Sequence, residues 1–182
     1  FLYLFFLSTL ILTNNINAKE NIMILKLKDG DVKIEMFEDV APNHVKRITE
    51  LANSGKYDNV VFHRVIEGFM AQTGDVQFGN SSSKDFDLSK AGIGGSNLPD
   101  LKEEFNNIPH ERGTVSMARS SDPNSANSQF FICFENASYL DRQYTVFGRV
   151  IEGMDFVDKI KKGDGQSGSV TNPDKIISFK SQ

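Results

Sequence analysis

Phe62-His63-Arg64-Val65-Ile66-Glu67-Gly68-Phe69-Met70-Ala71-Gln72-Thr73-Gly74-Asp75 sets one arginine and one glutamine among apolar side chains and breaks the run at Gly68, where a strand has to bend. At strand spacing successive side chains point to opposite faces, so Phe62, Arg64 and Ile66 share one face and His63 and Val65 the other. A cation between two apolar neighbours needs partners or an open groove to project into. Read alone, Arg64 is equally an edge-strand arginine that reaches water over those neighbours.

A second stretch bears on that choice. Gln129-Phe130-Phe131-Ile132-Cys133-Phe134 alternates so that Phe130, Ile132 and Phe134 share one face and Gln129, Phe131 and Cys133 the other. The first face can fill a core, and the second offers an amide beside an aromatic ring, as a recognition groove requires.

Working outward, residues 22–27 and 32–36 alternate on either side of Asp29-Gly30, a hairpin signal. Ala41-Pro42 opens a helical pattern carried by Val45, Ile48, Leu51 and Ala52 and stopped by Ser54-Gly55. Strands are predicted at residues 114–117, 129–134, 144–150 and 175–179, the last placed to pair with the first. A second helix is predicted over 154–161, with Lys159, Lys161 and Lys162 at its negative end and Gly163 as its stop. Residues 118–128, rich in Ser, Asn, Asp and Pro, read as loop. Residues 78–97 read as a surface insertion, because the cluster Gly92-Ile93-Gly94-Gly95-Ser96 lacks the Lys-Ser/Thr of a phosphate loop.

The 182 residues suit one soluble domain with a single core, and 14 Gly against 5 Pro suggest the many turns of a mostly β chain. A net charge of −4 argues against general nucleic-acid binding. The single cysteine, Cys133, forbids an internal disulfide and reads as a packed thiol, with no basic residue near it in sequence. His44, His63 and His110 are not at metal-ligand spacing, and His110 reads as solvated. Serine-hydrolase, zinc-protease, zinc-finger and nucleotide-hydrolase signatures are all missing from the sequence. Residues 1–18 carry no charge and open on twelve apolar or weakly polar positions, short of the roughly 20 that span a bilayer. They read as a signal peptide cut after Ala18, with an uncleaved anchor as the alternative, leaving one domain over 19–182.

Together, the 62–75 stretch, Ser116-Met117-Ala118, Ser128-Gln129-Phe130-Phe131-Ile132, Tyr139-Leu140-Asp141 and Val146-Phe147-Gly148-Arg149-Val150 resemble the cyclophilin family of peptidyl-prolyl cis-trans isomerases, in the expected order. The resemblance runs from about Ile22 to Phe179. It implies a mainly β fold, a closed eight-stranded antiparallel barrel capped by two α-helices. It makes Arg64 the catalytic arginine, with Phe69 and Gln72 in the catalytic set, and places Met70, Phe131 and Leu140 beside Phe69 around a proline pocket. Gln129 matches a second groove glutamine, and Ala118-Arg119 the segment that pairs with substrate backbone.

Three positions depart from the commoner eukaryotic pattern. Arg119 stands for an asparagine. Tyr139 replaces a tryptophan tied to tight cyclosporin binding, so at most weak binding of that drug is implied. Tyr144 takes the place of a pocket histidine, and with Arg119 it resembles bacterial exported members. The implied partners are proline-containing peptides and folding proteins, with no cofactor, metal or nucleic acid. The implied state is a periplasmic or secreted monomer without stable membrane insertion after signal cleavage. A proline-peptide binding module on the same barrel and a small-ligand barrel are the rival readings.

Overall fold

A computed structural model describes residues 21–182; the expected signal peptide of residues 1–18 lies outside them. Apolar alternation builds the first hairpin, β1 (Ile22–Leu27) against β2 (Gly30–Met36), with Leu27 opposite Gly30. The turn is therefore Lys28-Asp29, and Gly30 has already joined the strand. A Cβ on Gly30 would meet the Phe156 ring at 2.4 Å, so the glycine admits the second helix rather than the bend.

Helix α1 (Pro42–Asn53) begins on its proline and buries Val45, Ile48, Leu51 and Ala52, as the pattern predicts. It has no side-chain cap of its own. Glu104 supplies one from a distance: its carboxylate accepts the main-chain amides of Asn43 and His44, each at 3.1 Å, and contacts His44 Nδ1 at 2.6 Å. An anion on the amides of a first helical turn satisfies orphan donors and opposes the helix dipole.

The remaining strands are β3 (Arg64–Ile66), β4 (Met70–Thr73), β5 (Thr114–Met117), β6 (Phe130–Cys133), β7 (Val146–Glu152) and β8 (Ser178–Ser181). They form one eight-stranded antiparallel sheet ordered β3-β4-β6-β5-β7-β2-β1-β8. The sheet curls as the barrel reading requires, but β3 and β8 do not share a ladder. Main-chain bonds involving residues outside the strands draw the edges together: Val65 N and Val170 N donate to Gly168 O and His63 O, while Phe62 N and Ile176 N donate to Asp174 O and Val60 O. Closure is thus irregular, and β8 starts at Ser178 because residues 174–176 are already committed to residues 60–62.

Inside the curl, Met23, Leu25, Val32, Ile34, Phe130, Ile132, Phe147 and Phe179 are fully buried. Tyr57 closes this core edge-on to Phe130 at 5.6 Å. Phe62 belongs to this core with Val65, not to the face of Arg64. The alternation expected from Phe62 fails because β3 begins only at Arg64. Helix α2 (Met154–Asp158) packs Phe156 on the hairpin and ends a turn earlier than predicted. The Lys161 amide donates to Asp174 instead of continuing the helix, and Lys162 Nζ reaches back to the carbonyls of Asp158 and Ile160. No described helix is long and apolar enough to cross a membrane.

Candidate active site

The alternation that sends Phe130 and Ile132 inward sends Phe131 and Cys133 to the other face of β6, where they join Met70, Ala137 and Leu140 in a second, smaller apolar cluster. Strand register then lines up a row across the sheet. Arg64 on β3 faces Gln72 on β4, Gln72 faces Phe131 on β6, and Phe131 faces Ser116 on β5. Residues opposite one another share a face, so a cation, an amide, an aromatic ring and a hydroxyl stand side by side. Leu140 arrives on a short 3₁₀ turn, Ser138–Leu140.

A cavity of about 130 Å³ opens over this row. Phe69, Met70, Phe131 and Leu140 give it apolar walls, Arg64 and Gln72 border one side, and Ala118, Arg119 and Tyr144 the other. These are nine of the eleven residues singled out from sequence. Gln129 instead lines an adjoining cavity with Gly92 and Gly94. Tyr139 stays on the rim, 63% exposed, with its ring 5.7 Å from that of Phe69.

The polar side is a chain whose direction the arginine dictates. A guanidinium only donates. Arg64 Nε donates to Ser167 O at 3.1 Å, and Nη1 points at Gln72 Oε1 at 3.4 Å. With its carbonyl turned to the arginine, Gln72 passes its amide to Gln129 Oε1 at 3.0 Å, and Gln129 passes its own to Gly94 O at 2.7 Å and Gly92 O at 3.0 Å. The glycine cluster is therefore the anchor of this chain and not a free surface loop. Asp75, fully buried, fixes it in turn by accepting the amides of Gly92 and Gly94 at 2.7 and 2.9 Å. Among the described residues Arg64 has no carboxylate partner, and its Nη2 makes no hydrogen bond.

On the opposite side, Ala118 N donates to Gln129 O, while Ala118 O and Arg119 N make no hydrogen bond among the described residues. The Arg119 side chain folds back instead. Its guanidinium lies 4.5 Å from the Tyr144 ring centroid and donates to Gln143 O and Ser120 O.

Cys133 is buried at the base of the site, and burial pushes its thiol up to about 12. It is packed, as read from sequence. His110 overturns its reading: it is 1% exposed, not solvated. Its Nδ1 lies 2.9 Å from Asp141 Oδ1, its Nε2 3.0 Å from Ser116 Oγ, and its ring stacks on Phe131 with centroids 6.1 Å apart. No periodic pattern marks a histidine inside a connection, so the sequence signal was absent. Among the described residues no group of His, Cys, Asp and Glu could hold a metal ion.

Apolar walls with polar side chains along one side match a groove that grips an apolar ring and hydrogen-bonds the chain around it. The family model for cyclophilin type peptidyl-prolyl cis-trans isomerase/CLD matches residues 22–181. A probable peptidyl-prolyl cis-trans isomerase of Brucella suis is 61% identical over 159 residues, covering 87% of this chain and 81% of that protein. The isomerase of Acinetobacter baylyi is 39% identical over 79% of this chain and 74% of its own. Among solved structures, a Cryptosporidium parvum cyclophilin type isomerase crystallised in the presence of the dipeptide Ala-Pro superposes with a TM-score of 0.74 at 27% identity, covering 88% of this chain and 98% of that one. A Hirschia baltica cyclophilin gives 0.72 at 28% identity, over 88% of this chain and 73% of that one. With the expected fold and a family match over nearly all the described residues, the chain belongs to the cyclophilin-type peptidyl-prolyl cis-trans isomerases.

Proposed function

We propose that the groove binds proline-containing peptides, with the proline ring between Phe69, Met70, Phe131 and Leu140, and that Arg64 is the catalytic residue. Rotation about a peptide bond faces a barrier of about 18–20 kcal/mol, because the nitrogen lone pair is delocalised into the carbonyl. No covalent step is needed. The twisted amide nitrogen becomes pyramidal and accepts a hydrogen bond that the planar form cannot, so a donor aimed at it stabilises the transition state selectively.

The observation that carries this reading is the state of Arg64. Two of its donors are held by Ser167 O and Gln72 Oε1, while among the described residues Nη2 is unengaged, beside the apolar cavity. A guanidinium anchored at two of its nitrogens presents the third in a fixed plane, which a lysine would not do. Ala118 O and Arg119 N, likewise unengaged, suit the backbone of a bound peptide. A charge-assisted hydrogen bond contributes roughly 1.5–3 kcal/mol, whereas an acceleration of about 10⁶-fold requires about 8 kcal/mol. The balance falls to the dry pocket and the amide chain that orient the bond.

Exported, folding proteins are the substrates we assign to it, on the strength of residues 1–18, with Phe69 and Gln72 supporting Arg64. We assign residues 19–182 to a single periplasmic or secreted domain that acts as a monomer. Exchange between the cis and trans forms of a blocked Ala-Pro-Phe peptide, followed by NMR with catalytic protein, tests the site. Arg64→Ala should still shift peptide resonances yet accelerate exchange far less. Full activity in Arg64→Ala would refute the role of Arg64; peptide shifts without any acceleration by the unsubstituted protein would make the groove a binding module.

A further inference from the structure

We infer that His110 is a positioning residue of the isomerase site: its ring backs the Phe131 wall, and one proton on that ring reverses the hydrogen-bond chain behind the pocket. The inference rests on Phe131 forming part of the proline pocket, and its first readout needs no substrate.

The chain has a definite order. Asp141 Oδ1 accepts both the His110 main-chain amide, at 2.8 Å, and the ring at Nδ1, at 2.9 Å. A carboxylate only accepts, so the hydrogen is on Nδ1. In the neutral ring Nε2 is then an acceptor, and its neighbour 3.0 Å away is the hydroxyl of Ser116, which has one hydrogen to give. That hydroxyl has a second candidate, Thr145 O, also at 3.0 Å. Thr145 O already accepts Met117 N, so it is satisfied when the hydroxyl turns to His110.

A proton on Nε2 reverses the arrangement. Nε2–H then donates to Ser116 Oγ, and the hydroxyl turns to Thr145 O, whose second lone pair is free. Both states are fully paired, and they differ by one proton and one hydroxyl rotation.

The two states do not serve the pocket equally. The imidazole lies nearly parallel to Phe131, 17° between planes, with the Tyr144 ring edge-on to both. The neutral ring is an apolar backing for the wall. Among the described residues the counter-charge of the cation is Asp141, which lies to one side at Nδ1, so protonation pulls the ring toward it and shifts its overlap with Phe131. The titratable and charged groups on the packed elements are Asp141, Tyr144 and Cys133, with Arg119 beyond the Tyr144 ring. Cys133 is held protonated by burial. The bonds from the His110 amide and ring keep Asp141 below the usual carboxylate range, so it remains an anion while His110 titrates. Burial lowers the His110 pKa below its ordinary value, against the opposing pull of Asp141.

The test uses the whole protein. Ring ¹⁵N spectra at neutral pH should report the Nδ1–H tautomer of His110. As pH falls, catalysed exchange of the blocked peptide should drop about tenfold, equivalent to about 1.4 kcal/mol, along the titration curve of the His110 ring. Asp141→Asn keeps the acceptor oxygen but removes the charge, so the ring titration and the rate step should move together to lower pH. In His110→Gln the step should vanish; if that variant does not fold, the tautomer and the Asp141→Asn shift still decide. An Nε2–H tautomer at neutral pH, a rate that tracks His63 in the same spectra instead of His110, or a step that persists in His110→Gln would each overturn the inference.

Discussion

Replacing Asp75 with asparagine should loosen the active site without touching a residue of the pocket. Its carboxylate is fully buried and accepts four main-chain amides: Gln77 and Phe78 at Oδ1, 3.0 and 2.9 Å, and Gly92 and Gly94 at Oδ2, 2.7 and 2.9 Å. One side chain thus clasps both ends of the segment that sequence composition presents as a free insertion. Asparagine has the same shape but one acceptor oxygen. Whichever way it turns, its NH₂ confronts two amides that can only donate. Two charge-assisted bonds of roughly 1.5–3 kcal/mol each are lost, offset in part because no buried charge remains to be compensated. A net loss of about 3–5 kcal/mol follows, a large share of the roughly 5–15 kcal/mol that holds an ordinary domain together.

Urea unfolding with linear extrapolation measures the loss, and amide hydrogen exchange locates it. Protection should fall first at Gly92 and Gly94. Their carbonyls hold Gln129, which holds Gln72, which holds Arg64, so KM for a proline peptide should rise even where the protein stays folded. Refilling the gap from the glycine side is blocked, since a Cβ on Gly94 would lie 2.5 Å from Asp75 Oδ1. A stability change within about 0.5 kcal/mol of zero, the range of an ordinary surface substitution, with unchanged protection at both glycines, would refute the clasp.

Cys133 should resist thiol reagents at pH 8 in the native protein and react only in urea, because burial pushes its thiol up to about 12; native-state reaction at the rate of a free thiol would contradict its packing. Tyr57→Phe should cost about 1 kcal/mol in urea, since the buried hydroxyl donates to Ser128 O at 2.7 Å; an unchanged midpoint would show that Ser128 O finds another donor. His63 is buried without a hydrogen-bond partner at either ring nitrogen among the described residues, and desolvation lowers it from 6.5 to about 4. The unfolded state therefore binds the proton first. The His63 contribution is complete above pH 6.5 and lost as pH falls toward 4, about 3 kcal/mol in all at 1.36 kcal/mol per pH unit. His63→Gln should flatten that part of the stability profile, and an equally steep profile in the variant would assign it elsewhere.

What could be read from the sequence depended on whether the information was periodic or long-range. The two faces of residues 129–134 are legible because alternation is local, and they separate as expected into the main core and the pocket cluster. The helix at Pro42 is legible for the same reason. Phe62 was misassigned because alternation holds only inside a strand, and β3 starts two residues later. His110 was missed because its partners, 6 and 31 positions away in β5 and after the 3₁₀ turn, share no repeat with it. The pairing of the last strand with the first was read correctly, whereas closure into a barrel was implied by the resemblance alone. That closure is made by irregular main-chain bonds from residues 163–176, of which only 175 and 176 fall in a predicted strand.

The packing inside the curl also decides between the functional readings that the sequence left standing. A barrel that carries a small ligand must keep its inward positions small or its interior open. Here the inward positions are Phe130, Ile132, Phe147, Phe179, Met23 and Tyr57, all fully buried and in contact across the interior. Among the described residues these side chains fill the interior, which favours the other face for binding, where the same alternation places Arg64, Gln72, Phe131 and Ser116 in one row. That face has water on one side and a rigid aromatic core on the other. An arginine there has its direction set by neighbours tied through Gln129 and the glycines to buried Asp75. Catalysis of a bond rotation needs this combination more than it needs reactivity, since nothing is transferred and only the geometry of the donors distinguishes the twisted amide from the planar one.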